Sequence, residues 1–242
     1  MREAVIVSTA RTPIGKAYRG AFNDTQSQDM GGHVISHAVS RAGVDPAEVD
    51  DVVMGCATQQ GSSGFNLGRQ AALRAGLGAS VAGMTIDRQC SSGLMGIATA
   101  AKQIISDDMQ IVVGGGIESI SLVQTPNANR YRTQSPWLLE NWPGVYMPML
   151  HTAELVAERY NVTREQQDQY ALESQQRTAA AQEMGFFDDE IVPMPTQKVV
   201  ENKESGEATR QDVTLEKDEG NRPSTTLESL SGLKPVLPDG TV

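Results

Sequence analysis

Asp87-Arg88-Gln89-Cys90-Ser91-Ser92-Gly93-Leu94-Met95-Gly96 places a cysteine where one periodicity ends and another begins. Residues 83–86 before it form a strand-like run. From Leu94 onward apolar residues recur at Ile97, Ala98, Ala101, Ile104 and Ile105, which is helical spacing. Cys90 is therefore expected at or just before a helix N-terminus, flanked by Ser91 and Ser92, with Gly93 allowing close approach. Unpaired backbone N–H groups and the positive end of the helix dipole favour a thiolate there. The same N–H groups can donate to the oxyanion formed when a thiolate attacks a carbonyl. This setting suits acyl transfer through a thioester. A structural role competes with it, because free cysteine is among the most buried residue types and commonly acts as a small hydrophobe.

Working outward, short strand-like and helix-like runs alternate through the first 119 residues. Residues 4–8 are β-rich, and 29–42 have helical spacing through Met30, Val34, Ile35, Ala38 and Val39. Residues 51–56 read as a strand, 66–75 as a helix, and 84–86 and 110–113 as further strands. Such alternation predicts an α/β fold: a layered core with a mostly parallel sheet. Beyond residue 120 the texture changes. Residues 124–148 are rich in Pro, Asn and Trp and read as irregular. Helices are expected at 152–160 and 163–184, the second opened by Thr163 and Gln166 at capping-box spacing. Residues 201–218 are charged and read as a solvated loop or a two-stranded flap. Two domains are thus expected: a core, 1–119, and an α-rich loop domain, 120–242.

Composition narrows the function. The 242 residues carry 20 basic and 30 acidic side chains, a formal net charge of −10. This argues against a nucleic-acid binder, which would want a basic face. It leaves room for an anionic ligand held by a local Arg or Lys cluster. The two cysteines, Cys56 and Cys90, form no disulfide framework, and a reducing cytoplasm is their natural setting. No apolar run approaches a membrane span, and the first residues lack a signal-peptide layout. His33 and His37, four apart, would suit a metal pair. They equally share one helix face with no third ligand evident, so no metal site is expected. Gly114–Gly116 lacks the spacing of a nucleotide fingerprint and points to close packing. Cys56, at a strand end, reads as structural.

The Cys90 segment resembles the nucleophile motif of the thiolases, the acetyl-CoA acetyltransferases and 3-ketoacyl-CoA thiolases. Residues 4–15 (AVIVSTARTPIG) are similar to the opening strand and turn of that family. Residues 66–73 (NLGRQAAL) resemble its helix at the subunit contact, 114–119 (GGGIES) the strand closing its first core, and 152–154 (TAE) a loop-domain helix start. The resemblance implies a thiolase-like core half plus the loop domain that covers the active site and holds coenzyme A. It also implies Cys90 as the nucleophile of a reversible Claisen reaction on 3-ketoacyl-CoA, within fatty acid metabolism. The stretch 218–230 resembles the family segment along the coenzyme A nucleotide. On that match Arg222 would lie against the adenine, where a guanidinium can stack on a base. Ser229 and Leu233 would line the pocket, and Met149 would lie near the pantetheine arm. Coenzyme A is implied as substrate, with no further cofactor, and a homodimer or tetramer as the assembly.

Two departures stand out. Asp87 occupies the position where the family usually has asparagine, and an ionised carboxylate close to Cys90 would oppose a thiolate. The family's Gly-His-Pro histidine and Cys-x-Gly cysteine, which activate the nucleophile and shuttle protons, do not occur in the 242 residues. The phrase Asp239-Gly240-Thr241-Val242 leads, in the family, into a second half. The chain therefore reads as an amino-terminal portion with little turnover of its own. The alternatives are a non-catalytic coenzyme A-binding or dimerising fragment and a condensing synthase of the thiolase-like superfamily.

Overall fold

The computed structural model describes residues 2–202 and 204–242. In chain order the elements are α1 (Ser27–Ala42), β1 (Asp51–Gly55), α2 (Leu67–Arg74), β2 (Met84–Ile86), α3 (Ser92–Ser106), β3 (Val112–Gly116), α4 (Ile120–Val123), α5 (Pro136–Asn141), α6 (Met149–Tyr160), α7 (Arg164–Glu183), β4 (Met194–Glu201), β5 (Ala208–Leu215) and α8 (Leu227–Ser231), with short 3-10 turns between. They fall into two compact units, Met1–Asn129 with Asp188–Gly220, and Arg130–Phe187 with Asn221–Val242. A division by contact thus runs differently from one at residue 119.

The first unit is the α/β core. Its sheet has the order β2-β1-β3, and both pairings are parallel, ending level at Gly55, Ile86 and Gly116. All five residues of β1 are buried, as expected of a central parallel strand covered on both faces. Side chains alternate along it. Val52 and Met54 join Ile35, Val39, Leu67, Ala71, Ala72 and Leu77 in the main apolar cluster beneath α1 and α2. Each fully buried Val, Leu, Ile or Met side chain among them contributes about 1.5–3 kcal/mol. Asp51, Val53 and Gly55 face α3 instead.

The expected opening strand is corrected. Residues 2–10 pair with no strand, and Val5, Ile6 and Val7 are 71%, 75% and 73% exposed. An apolar, β-branched run becomes a strand only where a neighbour completes the ladder. Here a cavity of about 690 Å³ is lined by residues 4–12, by β3 and by apolar side chains of α1 and α3. Among the described residues the outer edge of β3 carries no partner strand.

The charged stretch near residue 201 forms the antiparallel β4–β5 hairpin. Met194 and Leu215 pack on Ala21 and Phe22, fixing it to the first unit. The guanidinium of Arg11 ties the same region together. It donates to Glu190 at 2.7 Å and to both oxygens of Asp218 at 2.8 and 3.0 Å.

The second unit is α-rich. Thr163 caps α7 with a complete capping box to Gln166, as its spacing predicts. Glu154 on α6 accepts the N–H groups of Thr241 and Val242 at 2.8 and 2.7 Å. These bonds hold its carboxyl below the usual range.

The rings of His33 and His37 meet on α1 at a tilt of 59°, their centroids 4.6 Å apart. Burial, and then the neighbouring His37, lower the pKa of His33 from the ordinary 6.5; Arg74 on α2 acts in the same direction. The unfolded chain takes up this proton near pH 6.5, whereas the folded chain resists it until lower pH. Stability from His33 is therefore complete above pH 6.5 and is lost as pH falls below it. Denaturant midpoints at pH 7.5 and 5.0 should diverge more for the wild type than for His33→Gln.

Candidate active site

The three parallel strands end together, and in open α/β sheets ligands bind outside those carboxyl ends. Helix α3 determines what is presented there. Its buried residues are Ser92, Gly96, Ala100 and Gln103, one face at helical spacing. That face lies along the α3 side of β1, running from its carboxyl end to its amino end. A Cβ at Gly55 would overlap the Ser92 carbonyl, and one at Gly96 would meet the Gly115 oxygen at 2.6 Å and the Val53 oxygen at 2.9 Å. A Cβ at Gly116 would meet Gly93 Cα at 2.8 Å. At the far end Gln103 donates to the buried Asp51 carboxylate at 2.7 Å. The helix thus sits on sheet backbone at one end and on a buried polar pair at the other.

This seat places Cys90, exposed and unpaired, in the turn between β2 and α3. Gln89 before it adopts φ +49°, a left-handed conformation uncommon for a residue with a side chain. Both peptides around it are held. Gln89 N–H donates to Asp87 Oδ1 at 2.7 Å. The Gln89 carbonyl accepts from Ser92 N–H at 3.0 Å and from the Ser92 hydroxyl at 2.6 Å. Ser92 Oγ in turn accepts from Arg88 N–H at 2.8 Å. The expected helix start is found, with Ser91 as its N-cap residue.

Cys56 is the contrasting thiol. It is buried, and it donates to Glu118 at 3.9 Å. Burial, and then the Glu118 charge, push its pKa up to about 11. A thiol in that state is a poor nucleophile.

Residues 4–242 match the family model described as Thiolase, N-terminal domain. The chain belongs to the thiolase family. It is 41% identical over its whole length to the 3-ketoacyl-CoA thiolase of Bacillus subtilis (strain 168), of which it covers 61%. It is also 41% identical to the acetyl-CoA acetyltransferase of Cupriavidus necator, with 98% of the chain and 60% of the relative covered. The crystal structure of the Bacillus anthracis acetyl-CoA acetyltransferase superposes with a TM-score of 0.82 at 37% identity, covering all of this chain and 61% of that one. The chain thus spans about three fifths of the length of these relatives.

The other residues expected to serve a thiolase lie in the second unit. Arg222 is exposed and opens a turn whose Thr225 N–H and hydroxyl return to the Arg222 carbonyl. Ser229 belongs to the capping box of α8, its hydroxyl accepting from Thr226 N–H at 3.0 Å. Leu233, just past α8, is 60% exposed. Met149 stands apart on the first residue of α6 and is 74% exposed. Arg222, Ser229 and Leu233 therefore share one segment, and Met149 belongs to another. Among the described residues no group of three or more His, Cys, Asp or Glu side chains is arranged to hold a metal ion.

The seat of α3 gives a test in which two effects oppose. Alanine exceeds glycine in helix propensity by about 0.8–1.0 kcal/mol. Overpacking costs about 1–3 kcal/mol, and the neighbours of Gly96 are backbone carbonyls that cannot swing aside. Against rigid backbone that cost lies at the upper end, leaving a net loss of about 1–2 kcal/mol, and Gly96→Ala should lower the thermal midpoint by about 2–8 °C. Gly220→Ala, with nothing within 4 Å, should leave it unchanged.

Proposed function

We propose that this chain carries the nucleophilic half of a thiolase. The observation behind the proposal is the exposed Cys90 thiol, fixed at the carboxyl edge of the sheet and at the start of α3. The Cys90 sulfur attacks C3 of a 3-ketoacyl-CoA. The C2–C3 bond breaks, the electron pair passes to the acetyl-CoA enolate, and protonation releases acetyl-CoA. The acyl group stays on sulfur as a thioester until the thiol of free coenzyme A takes it. Backbone N–H groups around the first turn of α3 suit the oxyanion of each addition. In this proposal the chain supplies the acyl transfer at Cys90.

In this proposal Arg222, Ser229 and Leu233 bind the nucleotide of coenzyme A, and Met149 packs by the pantetheine arm. The two free cysteines suit a reducing compartment such as the cytoplasm. Incubation with acetoacetyl-CoA should leave one acetyl group on Cys90, mapped by peptide mass. Cys90→Ser should abolish the adduct and Cys56→Ser should retain it. An unmodified Cys90 at saturating acetoacetyl-CoA overturns the proposal.

The same proposal includes a homo-oligomer. Phe65 is 99% exposed on a backbone held at φ +56°, Leu73 is 48% exposed, and among the described residues the outer edge of β2 has no partner strand. A bulky ring in the left-handed region costs about 1–3 kcal/mol. Covering it against a second copy offsets that cost. Light scattering should give twice the 26.0 kDa chain mass, or a higher multiple, and Phe65→Asp should return it to the monomer.

A further inference from the structure

The segment expected to meet the coenzyme A nucleotide has almost no apolar anchor. Leu227 and Leu233 are 44% and 60% exposed, and α8 buries no residue. Its shape must come from polar contacts, and one helix supplies them. At the start of the segment, Gln175 of α7 accepts Arg222 N–H on its side-chain oxygen at 2.7 Å. The Asn221 side-chain amide reaches that oxygen at 3.0 Å and the Gln175 carbonyl at 2.9 Å. At the end of the segment, the Arg164 guanidinium donates to the carbonyls of Leu230 and Leu233 at 2.6 and 3.0 Å. Asp168, one turn along α7, accepts from Arg164 at 2.8 Å and fixes its fork. This pair is largely shielded, with side chains 25% and 13% exposed. A rigid fork already held by a carboxylate loses little freedom when it binds two further carbonyls.

Gln175 and Arg164 lie eleven residues apart, about 16 Å along the helix axis. The segment is thus pinned at both ends to one helix, with Arg222, Ser229 and Leu233 between or beside the pins. We propose that Gln175 and Arg164 are positioning residues for coenzyme A, holding the 221–233 segment in the shape that receives the nucleotide. This rests on the assignment of that segment to coenzyme A made above. Binding to a segment already held in shape avoids most of its ordering cost. Loss of a pin returns that cost to binding and leaves the chemistry at Cys90 untouched.

The test compares two acetyl donors on the full chain: acetoacetyl-CoA, and S-acetoacetylpantetheine, which lacks the nucleotide. At subsaturating donor, Gln175→Leu should slow acetylation of Cys90 by acetoacetyl-CoA about tenfold and leave the pantetheine reaction at the wild-type rate. Gln175→Glu keeps an acceptor for Arg222 N–H and should restore the coenzyme A rate. Arg164→Met should act like Gln175→Leu. An equal fall with both donors in Gln175→Leu would show general structural damage and overturn the inference, as would wild-type rates with both. A wild-type chain that shows no preference for acetoacetyl-CoA over the pantetheine donor would instead overturn the assignment of the segment to the nucleotide.

Discussion

The structure of the first unit depends on backbone meeting backbone at the start of α3. Where side chains separate a helix from a sheet, small changes are absorbed by rotamers. Here the sheet carbonyls of Val53 and Gly115 and the turn of the helix at Gly96 leave no space for a single methyl group. The helix can therefore occupy one height and one rotation only. Because α3 begins level with the ends of β1, β2 and β3, this fixed seat also sets where the Cys90 turn emerges. The buried Gln103–Asp51 bond holds the opposite end of the helix, so neither end pivots freely.

Much of this was legible in the chain. The strands at 51–56 and 84–86, the helices near 29–42 and 66–75, and the capping box at Thr163 follow from periodicity and local chemistry. The helix after Cys90 was legible as a helix, but its orientation was not. Ile97 and Ile105, which carry its helical spacing, are 41% and 44% exposed, while Ser92, Gly96, Ala100 and Gln103 face the sheet. A seat made by omitting side chains leaves no hydrophobic signal. Residues 4–8 misled for a related reason: a β-rich run states a preference, and pairing depends on what lies beside it.

The candidate site divides in the same way. Cys90 stands out as a candidate by its neighbours, since a cysteine between a strand and a helix among small residues has a chemical meaning. The left-handed Gln89 gave no sign, because glutamine carries no preference for positive φ. Gln175 and Arg164 were equally silent. Within a polar helix that buries none of its residues, a glutamine that accepts a backbone N–H looks like any solvated side chain. The second unit is built largely from such contacts: Glu154 on the 241–242 backbone, and Gln175 and Arg164 on the 221–233 segment.

The glycine seat also partitions the freedom of this chain to change. Gly55, Gly96 and Gly116 meet backbone, so no other residue type fits without moving the helix. Two residues before Gly96, on the opposite side of the helix, Leu94 is 70% exposed. A combinatorial library that randomised the whole 87–97 stretch would therefore waste most of its members. Diversity belongs on the outward side of α3, with the glycines held constant. Lineages drifting apart from a common ancestor would face the same division, free to vary on one side of a helix and locked on the other.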